Sequence, residues 1–290
     1  MKKKLIIIGF LILIITLLLL HIPLLFKPFS PWSDSFNSTS AANYGALISG
    51  YAGIWLLTIN IFLLLFTQFN QSIYEFDRKF YTFLSIHRDN VKNFRIANFS
   101  GVNAIEKINF LFDAINRELS RNITKSLHEC INTAYLTIYF GLNSKSLSIY
   151  LFNYKEEINQ IRILYFNMLC HEKSIKSLLD KDHEGEPELN GMEQYLSVYF
   201  RHLFYTVESI RTSNILSETQ KKEYFSILRA QLSVHEQALI LLNFLSQIGK
   251  TWNRNGVIEK YQLIKDIPFG YFDSFDQRNV ISNIQWAYQT

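Results

Sequence analysis

Two long stretches without a charged side chain constrain this 290-residue chain more than anything downstream. After Met1-Lys2-Lys3-Lys4, residues 5–26 (LIIIGFLILIITLLLLHIPLLF) carry no fixed charge, and after Asp34 the next formal charge is Glu75. A bilayer core of ~30 Å takes ~20 apolar residues of helix, because lipid offers no partner to an open backbone group. Residues 5–26 meet that length, and so do residues 44–66 (YGALISGYAGIWLLTINIFLLLF) within the second stretch. The expectation is two transmembrane helices joined by a short loop. A cleaved signal peptide is the rival for the first, since three lysines precede it. Its apolar run exceeds the usual ~7–15 residues, however, and no small-x-small site follows promptly. An uncleaved anchor is therefore expected.

Basic residues set the orientation. Lys2, Lys3 and Lys4 precede the first span, while Arg78, Lys79, Arg88, Lys92 and Arg95 follow the second. The positive-inside rule then predicts both termini and the downstream domain in the cytoplasm. The connecting loop, with Pro28, Pro31 and the Ser/Asn-rich 33–40, reads as an exposed turn. Gly45, Ser49 and Gly53 repeat every four residues in the second span, with Ala42 and Ala46 beside them. Small residues at that spacing let helix backbones approach closely, so pairing with the first span or with a second copy is expected. Asn60, further along, suits a hydrogen bond to a neighbouring helix.

Residues 71–180 and 192–290 then read as two parts of a helical bundle, a stalk with a first helical part and a second helical part. A stalk over 73–96 carries Phe76, Phe80, Phe83 and Ile86 at helical spacing, and 102–121 repeats the pattern with Ile105, Ile108, Leu111, Phe112, Ile115 and Leu119. Helices over 125–140 and 155–179 follow. The acidic, turn-rich 180–191 (DKDHEGEPELNG) marks a connection. The fold class is thus all-α. Cys130 and Cys170 stand alone, so neither a disulfide nor a zinc site is expected. No GxGxxG, Walker A, GxSxG or HExxH string occurs, and the net charge of +4 comes without a basic run, so no cofactor and no nucleic-acid surface are indicated.

The most informative soluble segments are 192–213 and 218–247. Ser217 and Gln220 form an S-x-x-Q capping pattern at the start of the latter. Its apolar stripe runs Tyr224, Leu228, Leu232, His235, Leu239, Leu242 and Ser246. Arg229, Glu236 and Asn243 recur at seven-residue intervals, ~20° from alignment per repeat on one long helix. Such a seam is either a buried polar network that fixes register, with Arg201 and Glu208 as facing partners, or a functional site.

At these residues a resemblance enters. YFRHLFYTVESI (199–210), KKEYFSILRAQLSVHEQALILLNFLS (221–246), the following Gly249-Lys250, and VIEKYQLIKDIP (257–268) resemble the AbiC-like phage abortive infection family of bacteria. The resemblance implies a role in defence, in which an infected cell stops growing or dies before phage mature. It carries pattern positions Arg201, Arg229, Gln231, Glu236 and Asn243, but no catalytic residues. The function expected is that of a membrane effector, a homo-oligomer in the lipid bilayer, answering a sensor protein or a phage component. Two alternatives stand beside it. Arg229-x5-His235 fits the loose R-x4–6-H pattern of HEPN-type ribonucleases, where Arg holds phosphate charge and His moves a proton, although Ala230 replaces the usual polar residue there. The other is a non-toxic membrane sensor or scaffold.

Overall fold

The computed structural model describes residues 38–96, 98–122, 126–142, 144–150, 191–253 and 256–287, with isolated helical positions between 9 and 18. Most of the first span, the helix expected over 155–179, the connection at 180–190 and Cys170 lie outside the described residues. The chain divides into two units: Met1–Lys79 with Asn214–Ser217, and Phe80–Ser213 with Glu218–Thr290.

In the first unit the dominant element is helix α1 (Ser38–Lys92), 55 residues long. Its N-terminal portion exposes Ile54, Leu56, Leu57, Ile61, Leu63 and Leu64. Among the described residues it is the one helix long and apolar enough to cross a membrane. The span expected over 44–66 lies within this helix, whereas of the one expected over 5–26 only isolated helical positions are described, among them Phe10, whose ring stacks on Phe62 at 4.0 Å between centroids. At ~1.5 Å per residue, α1 is far longer than a bilayer core requires. The small-residue face is open: at Gly45, Gly50 and Gly53 an added Cβ would meet nothing within 4 Å. Asn60 is exposed as well.

The second unit is helical apart from one hairpin, β1 (Arg95–Ile96) paired antiparallel with β2 (Phe99–Ser100). Gly101, at φ 63°, turns the hairpin into α2 (Val102–Asn122). The expected stripe of α2, from Ile105 through Leu119, is buried throughout. Helix α3 (Leu127–Phe140) starts at a capping box of Ser126 and Glu129 and buries Cys130, a free thiol. A short α4 (Lys145–Tyr150) follows, and then α5 (Glu193–Thr212) after the undescribed stretch.

The long helix expected over 218–247 is in fact two, α6 (Glu218–Gln231) and α7 (Val234–Leu245). Ser233 lies between them in an extended conformation, φ −63° and ψ 162°, and caps α7. A local hydrogen-bonding serine has overridden the helical periodicity. Beyond α7 the chain closes with α8 (Lys250–Asn253), α9 (Val257–Tyr261) and α10 (Gln277–Val280).

The core sits around α7, whose residues 236–244 are all buried, and α2 and α3 pack against it. A helix buried on every side needs no polar face, which explains the run ALILLNFL. At twelve residues α7 is too short to cross a bilayer. In the portion of α1 that belongs to this unit, the buried positions are Phe80, Leu84, His87 and Val91, not the expected Phe83 and Ile86. Ile86 is 40% exposed. The buried set follows a 4-3-4 spacing with a histidine where an aliphatic residue would ordinarily stand.

Gly249 explains the closing Gly-Lys of the pattern. A Cβ there would overlap the backbone carbonyl of Asn243, so the loop after α7 folds back only without a side chain. Gly249→Ala should cost on the order of 1–3 kcal/mol. Chemical denaturation of the detergent-solubilised protein checks this; an unchanged midpoint would show that the loop packs differently.

Candidate functional site

The seam residues are where the elements of the second unit are tied together. Glu236 is the third residue of α7, and its carboxylate completes the capping box. Its Oε2 accepts from the Ser233 backbone N–H at 2.9 Å and from the Ser233 hydroxyl at 2.8 Å. The same hydroxyl accepts from the Glu236 N–H at 3.2 Å. The other oxygen, Oε1, lies 2.8 Å from His87 Nε2 and accepts from the Tyr199 hydroxyl at 3.3 Å. One carboxylate thus joins α1, α5 and the start of α7. Glu236 and His87 are each only 2% exposed. Burying a carboxylate is tolerable only when its oxygens are fully hydrogen-bonded, as here.

The electrostatics follow from that geometry. Burial by itself would raise the Glu236 carboxyl, but the His87 contact and the two Ser233 hydrogen bonds outweigh it and hold the group below the usual range. Burial, then the neighbouring Glu236 charge, push the Tyr199 phenol well up, so it remains a neutral donor. His202 stands beside this cluster with Phe83 edge-on to its ring at 5.9 Å, and burial, then His87, lower its affinity for a proton. Both ring nitrogens of His202, and Nδ1 of His87, are buried without a hydrogen-bond partner among the described residues.

Arg229 does not meet Glu236. It stands in the last turn of α6 and reaches the chain beyond α9, donating to the Gln262 carbonyl at 3.0 Å and lying 3.5 Å from the Asp266 carboxylate. Gln237 binds the same turn from α7: its amide donates to Asp266 at 3.3 Å and accepts from the Asp266 N–H at 3.1 Å. These contacts hold Gln262 in its left-handed conformation, φ 55°. Asn243 makes a third junction. It donates to the Tyr135 hydroxyl on α3 at 2.9 Å and accepts from Trp252 Nε1 on α8 at 2.9 Å.

The expected facing partners sit elsewhere. Glu208 binds Arg211 through two hydrogen bonds, at 2.8 and 2.6 Å. Arg201 is exposed and lines a cleft of about 250 Å3 with Asn243. Gln231 closes α6 and is exposed. The seven-residue spacing therefore marks three separate fasteners: the break at Ser233 leaves Arg229 on α6, while Glu236 and Asn243 share α7 but bind different neighbours.

His235 and Arg229 likewise have different company. His235 Nδ1 is 2.6 Å from the Tyr271 hydroxyl, and its backbone carbonyl accepts from Asn109 of α2 at 2.8 Å. Burial pushes the Tyr271 phenol up to about 12. The pair assigned to phosphate and proton in the ribonuclease reading is thus engaged with two different parts of the C-terminal segment. Sequence reasoning missed His87 and Tyr199. Ser233-x-x-Glu236 was itself a capping-box signature, and the heptad position of His87 between Leu84 and Val91 was the other available signal.

The fold and junctions define a helical domain joined in one chain to a helix of membrane-crossing length. Residues 191–272 match the model of a family described as "Putative phage abortive infection protein". That match contains α5 through α9 and all three fasteners. Neither a curated protein nor a solved structure matches the chain.

Replacing Glu236 by Gln removes the charge but not the shape. Because the folded carboxyl is held below its ordinary value of 4.5, it adds stability above that pH, and the contribution is lost as pH falls through the lower folded value. Glu236→Gln should be less stable at neutral pH by on the order of 2–3 kcal/mol. Its stability should also decline less than the wild type's between about pH 5 and pH 3. Urea unfolding across that range decides it; parallel pH profiles would contradict the assignment.

Proposed function

We infer that this protein is a membrane-anchored effector of phage defence, acting by abortive infection from the inner membrane with both termini in the cytoplasm. The observation that carries the reading is that one chain joins the family-matched segment to α1, a helix with the length and exposed apolar surface of a membrane span. Phe80, Leu84, His87 and Val91 of that same helix are buried in the core of the second unit. A rearrangement that broke the Glu236–His87 junction would therefore act directly on a helix that also carries apolar, lipid-suited surface. In this reading a phage component or a sensor protein alters the helical unit, α1 responds, and copies associate through the open face of Gly45, Ser49 and Gly53. The result is loss of the membrane barrier.

Following membrane potential and total RNA integrity together during infection tests it. Collapse of potential before any RNA decay is expected. RNA cleavage with an intact potential would favour the ribonuclease reading, and protection with neither change would favour a scaffold. Gly53→Ile should insert normally, because Ile is well tolerated in lipid, yet lower both crosslinking between copies and protection. Unchanged crosslinking and protection would remove the small-residue face from the account.

A further inference from the structure

The cleft beside Asn243 is built almost wholly from the family-matched segment, with walls contributed by α5, the end of α7 and α8. Phe204, half-buried, supplies flat apolar surface, backed by the buried Phe200 and by Trp252, which is 3% exposed, with the Phe204 and Trp252 rings edge-on at 5.3 Å and 88°. Asn243 fixes the indole through its hydrogen bond to Nε1 and is itself held by Tyr135, so this wall is positioned from the core. Arg201 stands at the cleft and is exposed, with no ion pair or hydrogen bond to any described residue. Thr251, also at the cleft, has a hydroxyl with no partner among the described residues. No acidic side chain lines it.

A guanidinium uncompensated among the described residues, beside an aromatic wall, has a definite chemical complement. The planar fork donates paired hydrogen bonds to a carboxylate or phosphate, and the rings stack on a flat apolar body. At about 250 Å3 the cleft is smaller than those that usually hold drug-sized ligands. We propose that this cleft binds a small aromatic oxyanion, with Arg201 and Thr251 on the anionic head and Phe204 against the ring. The site stands independently of the membrane reading, since it requires neither a bilayer nor oligomerisation.

Isothermal titration of the full chain in detergent tests this with phenyl phosphate and benzoate as probes and benzamide as the uncharged isostere of benzoate. At least one anion should bind saturably, and benzamide at least tenfold more weakly; whichever anion binds more tightly identifies the head group. Arg201→Gln, at an exposed position, should keep the wild-type melting temperature and weaken anion binding at least tenfold. Thr251→Val should weaken it severalfold and serves as the second variant if Arg201→Gln proves unstable. Absence of saturable binding by either anion, equal binding of benzamide, or unchanged affinity in a folded variant would each overturn the proposal.

Discussion

A carboxylate that is only 2% exposed places a strict demand for hydrogen-bond donors on the helical unit. Left alone, such a group would protonate or the fold would open, because the penalty for drying a charge reaches several kcal/mol even after relaxation. Glu236 avoids this by taking donors from three directions: its own helix cap, the Tyr199 hydroxyl and the His87 ring. The consequence reaches beyond local stability. The group that starts the central helix also bonds to α1, so the start of α7 and the position of α1 within the unit are set by the same four hydrogen bonds.

The other two seam residues extend this logic along the elbow. Arg229 anchors the turn at Gln262 and Asp266, and Asn243 anchors α3 and α8. Each motif residue thus binds a different neighbour of α6 or α7, and none substitutes for another. This arrangement gives a physical reason for the three polar residues of the seam. Buried polar contacts add little net stability over apolar packing, but their geometry restricts which helices fit where.

Much of this was legible in the sequence. The apolar run of membrane-crossing length within α1, the buried face of α2 and the span of α5 follow from apolar patterning, although α1 begins at Ser38, inside the expected turn, and ends at Lys92, short of the expected stalk end at 96. The polar seam was visible too, but its pairing was misread, because a seven-residue spacing implies alignment only on an unbroken helix. Ser233 ends that condition by capping α7 through its side chain, a local effect that periodicity does not register. His87 escaped notice for a different reason: its partner lies 149 residues away in the chain. No spacing rule reports a contact of that separation. The cleft at Arg201 was equally hidden, since it forms only when α5, the end of α7 and α8 come together.

The central claim is that His87 and Glu236 stabilise the fold as a pair. A double-mutant cycle of His87→Gln and Glu236→Gln, read by equilibrium unfolding of the detergent-solubilised protein, measures that coupling apart from the separate effects of either change. The account predicts an interaction energy on the order of 1–3 kcal/mol. Additive effects, with a coupling near zero, would contradict it.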